Sequence, residues 1–124
     1  MNPTIEPRKV VLVVEDEPIL RMMAVDLVED AGFEAVEAAD ATEAIAILER
    51  RTDIRVVFSD IDMPHGLDGM KLAALIRKRW PPIELVLTSG KMPPRPEDLP
   101  ERGVFFSKPY QGREVVATLR RMAA

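Results

Sequence analysis

Two short apolar runs stop abruptly in acid, and this pattern restricts the fold more than any other feature of the chain. Val10-Val11-Leu12-Val13-Val14 runs into Glu15-Asp16-Glu17, and Val56-Val57-Phe58-Ser59 runs into Asp60. β-Branched and aromatic residues without polar alternation describe strands buried on both faces, the habit of a parallel sheet covered by helices. A strand that delivers a carboxylate where it stops is placing it on the rim of the sheet. Pro64 neither donates to a ladder nor continues a strand, so a loop opens just beyond the second run.

The segments between these runs supply the remaining elements. Pro18 suits a first helical position, and Leu20, Met23, Ala24, Leu27, Val28 and Ala31 recur behind it at helical spacing until Gly32 stops the helix. Met22 and Met23 are assigned to core packing on that helix. Phe33 to Ala38 is expected to be an edge strand, because Glu34 and Glu37 interrupt its apolar residues. Asp40 with Glu43 forms a capping-box pattern ahead of Ala41, Ala44, Ile45 and Leu48. Asp68 is placed as the N-cap of a third helix carrying Leu72, Leu75 and Ile76, which ends before Trp80-Pro81-Pro82. Ile83 to Leu87 is a fourth strand leading into Thr88-Ser89-Gly90. A fourth helix is due next, but the prolines of Met92-Pro93-Pro94-Arg95-Pro96-Glu97-Asp98-Leu99-Pro100 leave room for one helical turn at most. Val104 to Phe106 is the fifth strand, and Val115, Val116, Leu119 and Met122 mark the last helix.

Five strands alternating with helices predict an α/β fold with a five-stranded parallel sheet, and a short edge-like second strand with central first and third strands favours the order 2-1-3-4-5. This is a flavodoxin-like (βα)5 sandwich with a short or missing fourth helix. Residues 1–124 are expected to form a single domain, with residues 1–8 as a loose leader. Apolar residues make up 47% of the 124-residue chain and charged residues 31%, which suits one globular core rather than disorder. The absence of cysteine excludes disulfides, thiolate metal sites and cysteine nucleophiles. One histidine, His65, gives little scope for an imidazole metal site or a Ser-His-Asp triad. A net charge of −4 argues against nucleic acid as a direct partner, and no apolar run is long enough for a membrane span.

Ligands of such sheets gather outside the carboxyl ends of the strands, near the point where strand order reverses. Strand one delivers Glu15 and Asp16 there, strand three Asp60, strand four Thr88 and the fifth Lys108. Two unit charges 4 Å apart repel by roughly 4 kcal/mol at an effective dielectric of 20, so three carboxylates together call for a cation or for raised pKa values. Oxygen donors without thiolate or imidazole favour a hard divalent ion, Mg²⁺ first, with Mn²⁺ or a similar ion as a substitute. Mg²⁺ keeps waters and phosphate oxygens in its shell, which suits phosphoryl chemistry with Asp60 as the nucleophile and Lys108 and Thr88 stabilising the transferred group.

From about Lys9 onward the chain resembles the receiver domain of two-component response regulators. The resemblance lies in Val-Val-Glu15-Asp16-Glu17-Pro18, in Ser59-Asp60-Ile-Asp62-Met63-Pro64 with Asp68-Gly69 downstream, in Thr88-Ser89-Gly90, and in Lys108-Pro109. It implies that Asp60 takes a phosphoryl group from a phosphohistidine of a histidine kinase or histidine phosphotransfer protein. It also implies that Glu15, Asp16, Asp60 and the backbone carbonyl of Asp62 hold Mg²⁺. Thr88 would swing to the phosphoryl group, Lys108 would pair with it, and the ring of Phe105 would turn inward as Thr88 moves. A cis peptide between Lys108 and Pro109 is implied as well. The expectation is a stand-alone, cytoplasmic phosphoacceptor module rather than an enzyme with an external substrate. Apart from phosphotransfer and autodephosphorylation on itself, it would act through a downstream protein, without contact with nucleic acid or membrane. Two departures from the family stand out: Gly66 adds a residue between Pro64 and Asp68-Gly69, and the prolines at 93–100 disturb the face built on the fourth helix.

Plainer roles account for other residues. Asp40 and Asp68 serve as caps, His65 as a solvated loop residue, and Trp80 as packing at the base of the sheet. Arg77-Lys78-Arg79 and Arg120-Arg121 are expected to be solvated helix ends, where positive charge suits the dipole. The runner-up function is a haloacid-dehalogenase-like phosphatase with Asp60 as nucleophile, suggested by Asp60-Ile-Asp62. That family carries a second acidic pair late in the chain, where after Lys108 only Glu114 is acidic. A flavin binder of the same strand order would need a hydroxyl- and glycine-rich phosphate loop after strand one, and Glu15-Asp16-Glu17 would repel the phosphate.

Overall fold

The computed structural model describes residues 7–63, 68–91 and 93–124. Its elements run β1 (Val10–Val14), α1 (Pro18–Asp30), β2 (Glu34–Ala38), α2 (Ala41–Arg50), β3 (Ile54–Asp60), α3 (Gly69–Arg79), β4 (Glu84–Ser89), β5 (Gly103–Ser107) and α4 (Gly112–Ala123). All strand pairs are parallel, and the sheet order is β2-β1-β3-β4-β5, as the edge-like second strand and the buried first and third strands predict. Between β4 and β5 the described residues form a single 3₁₀ turn, Pro96–Asp98, in place of a helix. The leader over residues 1–6 and the loop Pro64-His65-Gly66-Leu67, with its added Gly66, lie outside the described residues, as does Met92.

Side-chain alternation divides the interior into two layers. Val10, Leu12 and Val14 of β1, Val57 of β3 and Leu85 and Leu87 of β4 pack with α2 and α3. Val11, Val13, Val56, Phe58 and Val86 face the other way and pack with Ala24 and Val28 of α1 and Val115 and Leu119 of α4. The interior strand β1 is buried at every residue, whereas the edge strands β2 and β5 are mostly half-buried. On β5 the cause is local: the described residues of the connection before it form one 3₁₀ turn in place of a helix, and Leu99, like Phe105, packs half-buried against the α2–α3 layer.

Local chemistry sets the helix ends. The Asp40 side chain accepts from Glu43 N–H at 2.8 Å, while Glu43 reaches back to Ala39 N–H at 3.3 Å, one residue beyond the expected capping-box partner. Asp68 Oδ1 accepts from Lys71 N–H at 2.9 Å and caps α3. Gly32, at φ +97°, ends α1: its N–H bonds to Glu29 O at 3.0 Å and Phe33 N–H bonds to Val28 O at 3.2 Å.

Two sequence expectations are corrected. Met22 and Met23 are 58% and 59% exposed and therefore are not core residues. The first two turns of α1 leave Ile19, Leu20, Met22 and Met23 exposed, and on this helix only Ala24 and Val28 are buried. Arg77 is not a solvated helix end either. Its Nε donates to Glu101 O at 2.8 Å, and Nη1 donates to Pro81 O at 2.7 Å and Ile83 O at 2.8 Å, tying α3 to the turns that lead into β4 and β5. Trp80 packs half-buried against the α2–α3 layer, with the Arg79 guanidinium 4.4 Å from its ring centroid.

Candidate functional site

The rim residues arise from strand register. Asp60 is the last residue of β3 and pairs with Thr88 of β4, while Ser59 pairs with Val14, the residue before Glu15. Parallel strands in this register bring their next residues out on one edge. Lys108 follows directly on β5 and is fixed by its N–H to Ser89 O at 2.8 Å; the Lys108–Pro109 peptide is cis, as the resemblance implied.

Carboxylate oxygens of Glu15, Asp16 and Asp60 lie within 4.8 Å of one another. Glu15 and Asp60 are only 6% and 5% exposed, so their charges are largely withdrawn from water. Lys108 answers both: Nζ stands 3.1 Å from Glu15 Oε1 and 3.4 Å from Asp60 Oδ1. Backbone donors contribute too, with Glu17 N–H on Glu15 Oε2 at 3.1 Å and Asp62 N–H on Asp60 Oδ1 at 3.3 Å.

This arrangement sets the proton affinities. Burial pushes the Asp60 carboxyl above the ordinary aspartate range, against the pull of the Lys108 charge and the Asp62 amide. Burial raises Glu15 as well, against hydrogen bonds from Glu17 and Lys108, and the Asp60 charge adds to the rise. For Lys108 burial pulls downward, but Glu15 and Asp60 together outweigh it and hold the ammonium above the ordinary lysine range. One ammonium thus serves two buried carboxylates and leaves a deficit of positive charge. Three hard oxygen donors on one edge fit a small divalent cation in their charge and their chemistry.

Two cavities meet at Asp60. One, of about 550 Å³, opens between the ends of β1 and β3 and is lined by Glu15, Asp16, Asp60, Asp62 and Lys91 among others. The other, of about 510 Å³, runs beneath α1; Glu15, Asp60, Thr88 and Lys108 form its polar end, and Leu20, Met23, Leu27, Phe58 and Tyr110 its apolar walls. The chemistry on offer is a desolvated carboxylate nucleophile with an ammonium and a hydroxyl beside it.

Glu15, Asp16, Asp60, Thr88 and Lys108 are therefore brought together where the sequence placed them. Phe105 is not among them. It pairs with Leu87 rather than Thr88, so it projects to the opposite face and lies half-buried against the α2–α3 layer. Three contributors escaped the sequence. Arg21 Nη1 donates to Glu15 O at 3.0 Å and steadies the loop after β1. Tyr110 closes the second cavity and packs edge-on against Phe58, with ring centroids 5.8 Å apart. The Asp62 side chain accepts hydrogen bonds from Ser89 and Gly90, a role beyond the backbone carbonyl assigned to it. The Asp60-x-Asp62 spacing was the available signal for the last of these, whereas nothing in the sequence marked Arg21 or Tyr110.

Comparison with known proteins agrees with this geometry. The family model described as Response regulator receiver domain matches residues 11–120. The sensor kinase CckA of Brucella abortus is 33% identical over 120 residues, which is 90% of this chain and 12% of the kinase. The response regulator protein FleR of Pseudomonas aeruginosa is 33% identical over 116 residues, covering 91% of this chain and 24% of that protein. The chain thus spans a small part of either relative. A response regulator receiver protein from Pseudomonas putida, solved by crystallography, superposes with a TM-score of 0.83 at 25% identity, covering 94% of this chain and 99% of that one.

Proposed function

Because the chain belongs to the response regulator receiver family, we propose that Asp60 accepts a phosphoryl group from a phosphohistidine. The donor would be a histidine kinase or histidine phosphotransfer protein in the cytoplasm. Receiver domains are regulatory phosphoacceptor modules of two-component signalling, so the chemistry is carried out on the protein's own side chain rather than on an external substrate. The observation that carries the proposal is the cluster itself: a nearly buried Asp60 carboxylate with Glu15 and Asp16 within 4.8 Å and Lys108 at 3.4 Å.

A carboxylate oxygen of Asp60 forms the new bond to phosphorus as the P–N bond of the donor breaks. The imidazole leaves as a neutral ring, its second nitrogen protonated. Glu15, Asp16, Asp60 and the carbonyl of Asp62 would hold Mg²⁺, which supplies charge compensation for the carboxylates and for the phosphoryl oxygens. Lys108 pairs with the transferred group, exchanging one share of its present ion pairs for a doubly charged partner. Thr88, buried beside Asp60 on the same face, donates its hydroxyl to a phosphoryl oxygen. The low exposure of Asp60 limits attack by water on the acyl phosphate. The exposed apolar residues Ile19, Leu20, Met22 and Met23 border this edge and offer the donor protein a place to dock. The phosphorylated form then modulates a downstream protein.

Incubation with Mg²⁺ and acetyl phosphate tests the chemistry. The expected product loses its phosphate to hydroxylamine, as an acyl phosphate does, and is absent from Asp60→Asn. A hydroxylamine-resistant product, or labelling that survives the substitution, contradicts the assignment.

A further inference from the structure

We propose that the Asp62 carboxylate is a positioning residue, a latch that holds the end of β4, and with it the Thr88 hydroxyl, in a resting place until Asp60 is phosphorylated. This rests on the phosphoacceptor function proposed above. The Ser89 hydroxyl donates to Asp62 Oδ2 at 2.8 Å and the Gly90 N–H donates to the same oxygen at 3.0 Å, joining segments 27 and 28 residues apart. Ser89 is buried, and its Oγ also accepts from Lys91 N–H at 3.0 Å, so the hydroxyl is fixed from both sides. Although Asp62 is only two residues from Asp60, its carboxylate is not part of the Glu15–Asp16–Asp60 oxygen cluster. It faces β4 instead.

Thr88 is bonded directly to the latched Ser89. Its own carbonyl accepts from Ile61 N–H at 2.9 Å, while Ser89 O accepts from Lys108 N–H at 2.8 Å. Those backbone bonds belong to the sheet and resist movement in either state. The two bonds to Asp62 are, among the described residues, the side-chain hydrogen bonds that tie this segment to the end of another strand. Hydrogen bonds to a carboxylate are the stronger kind, so they weigh in the balance. Drawing Thr88 onto a group attached to Asp60 strains them. The phosphoryl group also replaces the single charge of Asp60 by almost two beside Asp62, which loosens the latch by repulsion. Latch and phosphoryl group are therefore opposed, and removing one favours the other by the same factor.

Calorimetric titration with Mg²⁺ and beryllofluoride, a mimic of a carboxylate-bound phosphoryl group, tests this, paired with amide hydrogen exchange at Gly90 in the unliganded protein. Asp62→Ala is expected to bind beryllofluoride about tenfold more tightly, the equivalent of one hydrogen bond to a charged group. Its Gly90 exchange should accelerate. Asp62→Asn retains an acceptor oxygen and should fall between Ala and the natural residue. Ser89→Ala, which alters no charge, should tighten binding by a smaller factor and gain little further from Asp62→Ala. Equal effects of Ala and Asn with none from Ser89→Ala would mean charge alone and would overturn the latch, as would unchanged Gly90 exchange. Binding by the natural protein without tightening in Asp62→Ala removes the latch only. Failure of the natural protein to bind removes the phosphoacceptor function and the latch with it.

Discussion

At the scale of single residues the site is an electrostatic compromise with Asp60 at its centre. Lys108 is shared between Glu15 and Asp60, so neither carboxylate is fully compensated, and burial raises the proton affinity of both. A carboxyl whose folded pKa lies above its unfolded value binds its proton more readily in the native state. Stability of the metal-free protein contributed by these two groups should therefore rise as pH falls from the raised values toward the ordinary carboxylate range, and be lost as pH rises through them. Mg²⁺ affinity should run the other way, weakening over the same interval as protons displace the ion. Urea titrations and Mg²⁺ binding followed across this range check both slopes. For the same reason Asp60→Asn is expected to stabilise the metal-free protein, by on the order of 1 kcal/mol, since it removes a buried charge that Lys108 only partly balances. These residues were legible in the sequence because each follows a hydrophobic run at a strand end. Arg21, Tyr110 and the Asp62 side chain were not, since their roles depend on where α1, the segment after Lys108 and the β4 end pass in space.

Among the elements, α3 shows how closely backbone approach controls the site. A Cβ on Gly69 would lie 2.3 Å from Ile61 Cα and 2.5 Å from Asp60 O, so the first turn of α3 rests directly on the peptide that joins Asp60 to Ile61. Gly69→Ala is expected to cost about 3 kcal/mol through this overlap and to displace Asp60. Gly90→Ala, whose Cβ would meet nothing closer than 3.9 Å, serves as the control in the same denaturation series. The α1 helix carries the opposite lesson. Its helical spacing correctly announced a helix, but it could not say which turns the sheet and the other helices would cover, and the first two turns stay exposed. Ile19→Asp and Met22→Asp together, both exposed and outside the cavity walls, should leave phosphorylation by acetyl phosphate intact while slowing transfer from a protein donor by tenfold or so, about the effect of losing one modest apolar contact. The missing helix between β4 and β5 was readable because proline acts locally. The consequence, a half-covered Phe105 against the α2–α3 layer, required the register of β5.

For the whole molecule, strand order and the two packing layers followed from which runs were apolar throughout and which were interrupted by glutamate. That information is distributed along the chain, and it survives small errors in element boundaries. Ligand linkage operates at this scale as well. A cation that binds the folded rim and not the unfolded chain should raise stability by about 2.7 kcal/mol at one hundred times its dissociation constant. Thermal unfolding with and without Mg²⁺ measures the gain, and Asp16→Ala with Glu15→Ala should abolish it. The central claim, that the fold exists to present Asp60 as a phosphoryl acceptor, is most directly tested by locating the modified residue. After reaction with acetyl phosphate and Mg²⁺, borohydride reduction followed by peptide mass mapping should find homoserine at position 60 and nowhere else. Reduction product at Asp16 or Asp62, or none at position 60 in a phosphorylated sample, would contradict it.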